Sequence, residues 1–548
     1  MRVMTESTQP AGFPVHWDDP ADAELGWNHD PGHYPNVITP LGYDLHTEPL
    51  LCGFGPGTTE LTGAPMSVRT KLINYWVYGN WQSSGRAQAP RSQEEMNKLL
   101  SETPSRWRDD VLPESLRLIE HYAATDFDGL TDSELASQLE ELREMRVRQG
   151  YLQTIVTGAW QMAMNRLVDT FQELTGAGAL DALRLVQGYG NKSVEAGDAL
   201  WRLSKVANSI SFVREHILES ELEPAAQFVA CLRTEPQAMR FVDALDAFLD
   251  DYGWRTDLIG FASPTWREDP LIALQQLSHY LELSDYDPVH EQEKLARERD
   301  AAIEQTKDSL DDADWSRLQN ALDLARDVVS MKEDRHYYHS QRLTTMPRRL
   351  VLAAGRRLVE RGQLELERDI FYLHLTEACA ALRGESSDAG ALVSECKAEM
   401  ERWSKVDPPQ FVGAPPSRGV DSRSGAYLRR AFGVHGLTSD DPNVLVGNGC
   451  SSGVARGSAR VILGLADAHR LRKGDVLVTK TTMPPWTPLF PVSCAVVTES
   501  GGVLSHPAVT AREYGIPAVL GVSNATGLLK DGQLVEVDGA KGTVRILS

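Results

Sequence analysis

No stretch of this 548-residue sequence reaches the roughly 18 to 20 consecutive apolar residues that a membrane-spanning helix needs. Residues 1–14 also lack the apolar run of a secretory leader. Cysteine is sparse: Cys52, Cys231, Cys379, Cys396, Cys450 and Cys494 stand apart, with neither CxxC nor Cys/His ligand spacing. That distribution argues against a disulfide scaffold or a metal site in this chain, and a reducing cytoplasm is the expected location. Positive charge is short too. With 55 Lys and Arg against 77 Asp and Glu, the net charge of -22 disfavours binding to nucleic acid or an anionic membrane through bulk charge, leaving only a local basic patch open.

What is present is ample for folding. At 42% hydrophobic and 24% charged residues the chain falls in the globular range, and its length corresponds to about three or four domain-sized units. Residues 1–65 are broken by Pro20, Pro31, Pro35, Pro40 and Pro56 and read as an irregular entry segment packed on a helical domain. That domain spans 66–403, where the apolar spacing is helical. Thr131-Asp132-Ser133-Glu134 forms a capping box ahead of a helix to Leu174, and further helices are predicted at 194–209, 224–250, 270–283, 289–306, 312–361 and 386–403. Pro408, Pro409, Pro415 and Pro416 among Gly and Ser mark 404–457 as a linker. From 458 to 548, six short β-like runs at 459–463, 475–480, 494–499, 517–522, 534–538 and 543–547 predict a small α/β domain.

The strongest chemical signal lies in that last domain. In Thr498-Glu499-Ser500-Gly501-Gly502-Val503-Leu504-Ser505-His506-Pro507, the glycines supply positive φ or close backbone approach, Ser505 is a candidate N-cap, and Pro507 suits the first helical position. The helix is predicted to end near Tyr514, with Gly515 as its C-terminal cap. An imidazole at a helix start can attack phosphorus, and the resulting anion is favoured by exposed N–H groups and the helix dipole. His506 therefore reads as a candidate phosphoryl carrier.

The run 498–519, preceded by Thr482-Met483-Pro484-Pro485-Trp486-Thr487-Pro488-Leu489-Phe490, closely resembles the mobile phosphohistidine domain of phosphoenolpyruvate-utilising enzymes. The resemblance covers about 440–548. It implies that His506 is phosphorylated during turnover, that Thr498, Gly501, Gly502 and Ser505 shape the phosphate pocket, and that the domain swivels. A second resemblance, to the substrate-binding domain of rifampin phosphotransferase, rests on Pro35-Asn36-Val37-Ile38-Thr39-Pro40-Leu41, Gly188-Tyr189-Gly190-Asn191-Lys192-Ser193 and Gly355-Arg356-Arg357-Leu358. The expected architecture is thus multi-domain: a large, mainly α-helical domain followed by a small α/β swivelling phosphohistidine domain.

Two clusters in the helical part are candidate acceptor-site residues. Trp254, Arg255 and Asp257 combine an aromatic plane with charge in a non-helical segment. They are candidates for binding substrate, and equally for packing a loop onto the bundle. The family often has His where this chain has Trp254, which weakens an acid–base role there. In Lys332-Glu333-Asp334-Arg335-His336, Lys332 and His336 are one helical turn apart and share a face. Lys332 and Arg335 can stabilise a transferring phosphoryl group and His336 can take the acceptor proton, although a solvated charged helix face is the plainer alternative.

Family members draw phosphate from ATP on an ATP-grasp domain or from phosphoenolpyruvate on a TIM barrel. The N-terminal half shows no GxxxxGK[ST] loop, and about forty residues follow His506 where a barrel needs roughly 250. The expectation is a split enzyme. ATP and Mg²⁺ would be bound by a separate ATP-grasp-type subunit, as in phenylphosphate synthase, with no cofactor held permanently by this chain. The expected acceptor is a small hydroxyl-bearing aromatic such as phenol or p-cresol, with AMP and phosphate released. An antibiotic or natural-product acceptor is one alternative; a noncatalytic acceptor-binding or regulatory protein is the other.

Overall fold

The computed structural model describes residues 12–83, 91–219, 222–256, 260–283, 285–414, 429–434 and 436–547. They sort into two units. The first comprises Met1–Ala159, Ile259–Ser263 and Tyr338–Gly419; the second comprises Trp160–Leu258, Pro264–Tyr337 and Val420–Ser548.

The first unit pairs helices with an antiparallel sheet of order β2-β3-β1-β4, formed by β1 (Gly26–His29), β2 (Met66–Ile73), β3 (Trp76–Ser83) and β4 (Phe411–Gly413). β2 and β3 make a hairpin inside the stretch read as helical. Asn74 and Tyr75 both take positive φ (51° and 65°), so this two-residue turn matches the right-handed twist of its strands. An aromatic core of Phe13, Trp27, Trp76, Tyr78 and Trp403 covers the sheet. Beside it the buried carboxylate of Asp22 takes Arg69 and Lys71, each at 2.7 Å, and both cations lie 5.5 Å from the Trp27 ring centre.

The entry segment is more regular than its prolines imply, since Glu48–Thr62 is a helix. Pro49 sits in its first turn, where a missing N–H costs nothing, and the interior Pro56 is tolerated because the helix is held by close packing. That packing is against the helix Asp132–Thr175, which begins at the predicted capping box: Thr131 N and Oγ1 both donate to Glu134 Oε2 at 2.7 Å. The two helices approach so closely that a Cβ at Gly150 would run into the Leu50 carbonyl oxygen, and one at Gly53 into that of Val147.

Further along the chain the predicted helices appear with breaks, two of them at prolines. The stretch 224–250 becomes Ala225–Thr234 and Met239–Tyr252 around Pro236, and 312–361 becomes Asp312–Val328, Met331–Arg335, a wide π-type run His336–Leu343 and, past Pro347, Arg348–Glu360. The sheet of the second unit contains all six predicted strands, as β7 (Val454–Val461), β8 (Val476–Thr479), β9 (Ala495–Thr498), β10 (Ala518–Leu520), β11 (Leu534–Asp538) and β12 (Thr543–Ile546). Two more, β5 (Val444–Val446) and β6 (Asn448–Ser451), fall in the segment read as linker. The order is β5-β12-β11-β7-β8-β9-β10-β6, with β7 through β10 parallel.

β8 and β9 are buried on both faces, as their unbroken apolar runs require. Val476, Val478 and Val497 face one core. Leu477 and Val496 face the other, which they share with Ala508 and Ala511 and with Leu200, Leu203, Leu274 and Leu277 of the helices Lys192–Asn208 and Leu271–Glu282. The helices and the sheet of this unit thus bury one apolar surface together.

Gly150→Ala, which overfills the helix crossing, should destabilise the first unit by about 1–3 kcal/mol. Thermal unfolding would read this as a lowered midpoint, and an unchanged midpoint would show that the crossing can relax.

Candidate functional site

The helix His506–Glu513 follows β9 through the glycine turn and leads to β10, so its first residue lies beyond the carboxyl end of a parallel strand. Gly501 has φ +117°, and a Cβ at Gly502 would lie 2.5 Å from the Arg430 carbonyl oxygen, which accounts for both glycines. Ser505 occupies the cap position, but its Oγ donates to the Gly502 carbonyl at 2.7 Å and so braces the turn instead of capping the helix. Thr498 Oγ1 braces it likewise, donating to Ser500 O at 2.6 Å. The helix begins one residue before Pro507. It ends as predicted on Gly515 (φ +63°), with Ile516 N donating to Ala511 O and Gly515 N to Arg512 O.

The His506 ring is buried, and its Nδ1 lies 2.8 Å from Glu333 Oε2. A carboxylate only accepts, so Nδ1 carries a proton and donates, while Nε2 has no hydrogen-bond partner. Glu333 is 1% exposed, and Ser193 Oγ donates to the same oxygen at 2.8 Å. Burial alone would raise the Glu333 carboxyl. The hydrogen bond and charge of the His506 ring, with the Lys332 ammonium, outweigh it and hold the group far below the usual carboxylate range.

Lys332 donates from Nζ to the Leu504 carbonyl at 2.8 Å, lies 4.0 Å from Glu333 Oε1, and sits 4.6 Å from the Trp160 ring centre. Burial, with help from Arg335 and Arg512, pulls its ammonium down to about 8 against the opposing pull of Glu333. The His336 ring centre is 6.0 Å from that of His506; burial first, then Arg335, push it well below its ordinary value, so it is a neutral imidazole. Its Nδ1 has no partner. Arg335 is itself buried, and burial lowers it to about 10.

The structure therefore brings His506, Lys332 and His336 together, with Arg335 acting on Lys332 and His336 through its charge. Trp254 and Arg255 are engaged elsewhere: Arg267 lies over the Trp254 ring at 5.3 Å, while Arg255 is fully buried between Tyr252 and Trp266 and donates to the Pro484 carbonyl at 3.4 Å. Asp257 lies outside the described residues. Sequence reasoning passed over Glu333 and Ser193. The only signal for Glu333 was its place between Lys332 and His336, and Ser193 is more than a hundred residues away in sequence.

The chain carries two domains of the phosphoenolpyruvate-utilising enzymes, a helical one followed by the mobile one. Residues 150–333 match the rifampicin phosphotransferase fourth domain, and residues 471–542 match the PEP-utilising enzyme mobile domain. Among individual proteins, it is 32% identical to chondramide synthase cmdD of Chondromyces crocatus over 98% of this chain and 14% of that protein. It is 32% identical to a rifampicin phosphotransferase of Streptomyces sviceus over 70% of this chain and 43% of the relative. With the prodigiosin synthesizing transferase PigC of Serratia marcescens it shares 29% identity over 60% of this chain and 36% of the relative. The chain spans less than half the length of each.

Lys332 should titrate near 8, whereas an unperturbed lysine titrates at about 10.4. Because the unfolded chain keeps this proton to higher pH than the folded one, the group makes folding more favourable as pH rises through that window. The ¹³Cε shift of Lys332 followed by NMR would read the midpoint directly, and a midpoint above 10 would contradict its buried setting.

Proposed function

We propose that this chain is the phosphohistidine-relay and acceptor-binding component of an ATP-dependent phosphotransferase that phosphorylates a hydroxyl group. The observation that carries this reading is the His506 ring, pinned at Nδ1 by a buried carboxylate and left with an unpartnered Nε2. Glu333 orients the ring and offsets the charge that Nδ1–H gains when Nε2 binds phosphorus. In the transfer step the acceptor oxygen attacks phosphorus, the N–P bond breaks with its electron pair returning to Nε2, and the hydroxyl proton passes to neutral His336. Lys332, and Arg335 at longer range, stabilise the charge on the moving phosphoryl group. The glycine turn with Thr498, Gly501, Gly502 and Ser505 forms the wall of the phosphate pocket.

The donor is ATP with Mg²⁺, bound by a separate ATP-grasp-type subunit; its β-phosphoryl group goes to His506 and its γ-phosphoryl group to water, leaving AMP and phosphate. For the acceptor we favour a phenol such as phenol or p-cresol, which the Trp160 ring beside Lys332 supports. The matches to a rifampicin phosphotransferase and a prodigiosin synthesizing transferase support a second reading, in which the acceptor is an antibiotic or other natural product.

Incubation of the chain with an ATP-grasp-type partner and β-³²P ATP should place acid-labile label on His506 and pass it to a phenol or natural-product panel. His506→Ala should abolish both label and product. Lys332→Met should retain label and slow its transfer by about 10²–10³-fold. Absence of label on the wild-type chain would sink the relay, whereas label that reaches no phenol but reaches a larger natural product would select the second reading.

A further inference from the structure

The contacts that hold His506 in place converge on one loop, 188–193. Gly188 and Gly190 each have φ +70°, and the turn they form aims two backbone N–H groups at a single side chain. Gly188 N donates to Glu513 Oε1 at 3.0 Å, and Gly190 N to Oε2 at 3.3 Å. Paired backbone amides of this kind make a small anion-binding concavity. Glu513 lies on the His506 helix, seven residues and two turns after the histidine, so both side chains leave the same face.

The same loop also fixes what His506 binds. Asn191 Oδ1 accepts from Ser193 N at 3.0 Å and Val194 N at 3.1 Å, capping the helix Lys192–Asn208. Lys192 N donates to Asp334 Oδ1 at 3.0 Å, and Ser193 Oγ donates to Glu333 Oε2 at 2.8 Å. Arg299 holds the loop from its other side, donating to the carbonyls of Gln187 and Gly188 and stacking on the Tyr189 ring at 4.2 Å. Loop 188–193 therefore grips the His506 helix at one end and the His506 partner at the other.

We infer that loop 188–193 is the docking gauge for the mobile domain, and that Glu513 is a positioning residue whose entry into the Gly188–Gly190 concavity sets the His506 ring against Glu333 for transfer to the acceptor. This rests on the relay reading above. A rigid apolar surface would seat the domain without fixing its register, because burial is non-directional. Two charge-assisted hydrogen bonds do fix it. Loading of His506, which takes place with the domain turned toward its donor, does not use the contact.

Two measurements on the full chain separate this proposal from the relay itself. Hydrogen exchange needs no turnover: the Gly188 and Gly190 amides should exchange about tenfold faster or more in Glu513→Ala than in wild type. Unchanged exchange overturns the contact. For the second, His506 is loaded chemically with phosphoramidate and its discharge to p-cresol is followed. Glu513→Ala should load as fully as wild type and discharge about tenfold more slowly, with Glu513→Gln in between. Gly190→Ala, which alters the concavity from the other side, should slow discharge in the same way. Discharge at the wild-type rate, or loading that falls in step with discharge, overturns the positioning role. Failure of the wild type to load overturns the relay, and with it the timing assigned to Glu513, whatever the exchange result.

Discussion

The placement of His506 depends on one interaction, the hydrogen bond from its Nδ1 to the Glu333 carboxylate. The surroundings are arranged to keep that carboxylate charged although it is 1% exposed. An isolated buried charge of this kind costs several kcal/mol, and it persists only when paired and hydrogen-bonded. Ser193 and the His506 ring supply the hydrogen bonds, and Lys332 supplies an opposite charge at 4.0 Å. Removing any one partner leaves the others in an environment that no longer suits them. The site is best regarded as one coupled network, in which burial depresses Lys332 and His336 while the His506 ring and Lys332 depress Glu333.

The second unit also shows how apolar and polar contacts divide the task of holding a domain. One core runs from Leu200 and Leu277 through Ala508 and Ala511 to Val496, and supplies most of the affinity between helices and sheet. Such a core tolerates small displacements, whereas the phosphoryl transfer proposed for this site would lose rate if the reacting atoms were misplaced by about an ångström. The directional contacts sit where displacement matters: Lys332 on the Leu504 carbonyl just before His506, Glu333 on its ring, and Glu513 at the other end of its helix. On the linker side of the same turn, Leu504 N donates to Arg430 O, and Arg430 pairs with Asp169 at 2.7 Å.

Local chemistry was the legible part of this chain. The capping box at Thr131, the glycine turn before His506, the Gly515 cap and the six strands β7 to β12 follow from residue type and spacing over a few positions. Elements whose cause is distant were not legible. The hairpin Met66–Ser83 and the helix Glu48–Thr62 depend on an aromatic core and a glycine-lined helix crossing with partners far along the chain. β5 and β6 hid in a stretch rich in proline and glycine because three- and four-residue strands at a sheet edge carry too few residues to show a period.

The candidate site divides along the same line. Sequence by itself determined the histidine, its turn and its helix, because a backbone that must take φ +117° at Gly501 and exclude a side chain at Gly502 admits little besides glycine. It also marked Lys332 and His336, because helical spacing puts them on one face. Only the tertiary structure decided that these groups meet His506, that Glu333 between them is the residue that grips the ring, and that Ser193 and Glu513 hold the two sides in register. The physical reason is that a buried charge is defined by its partners, and here they come from segments more than a hundred residues apart.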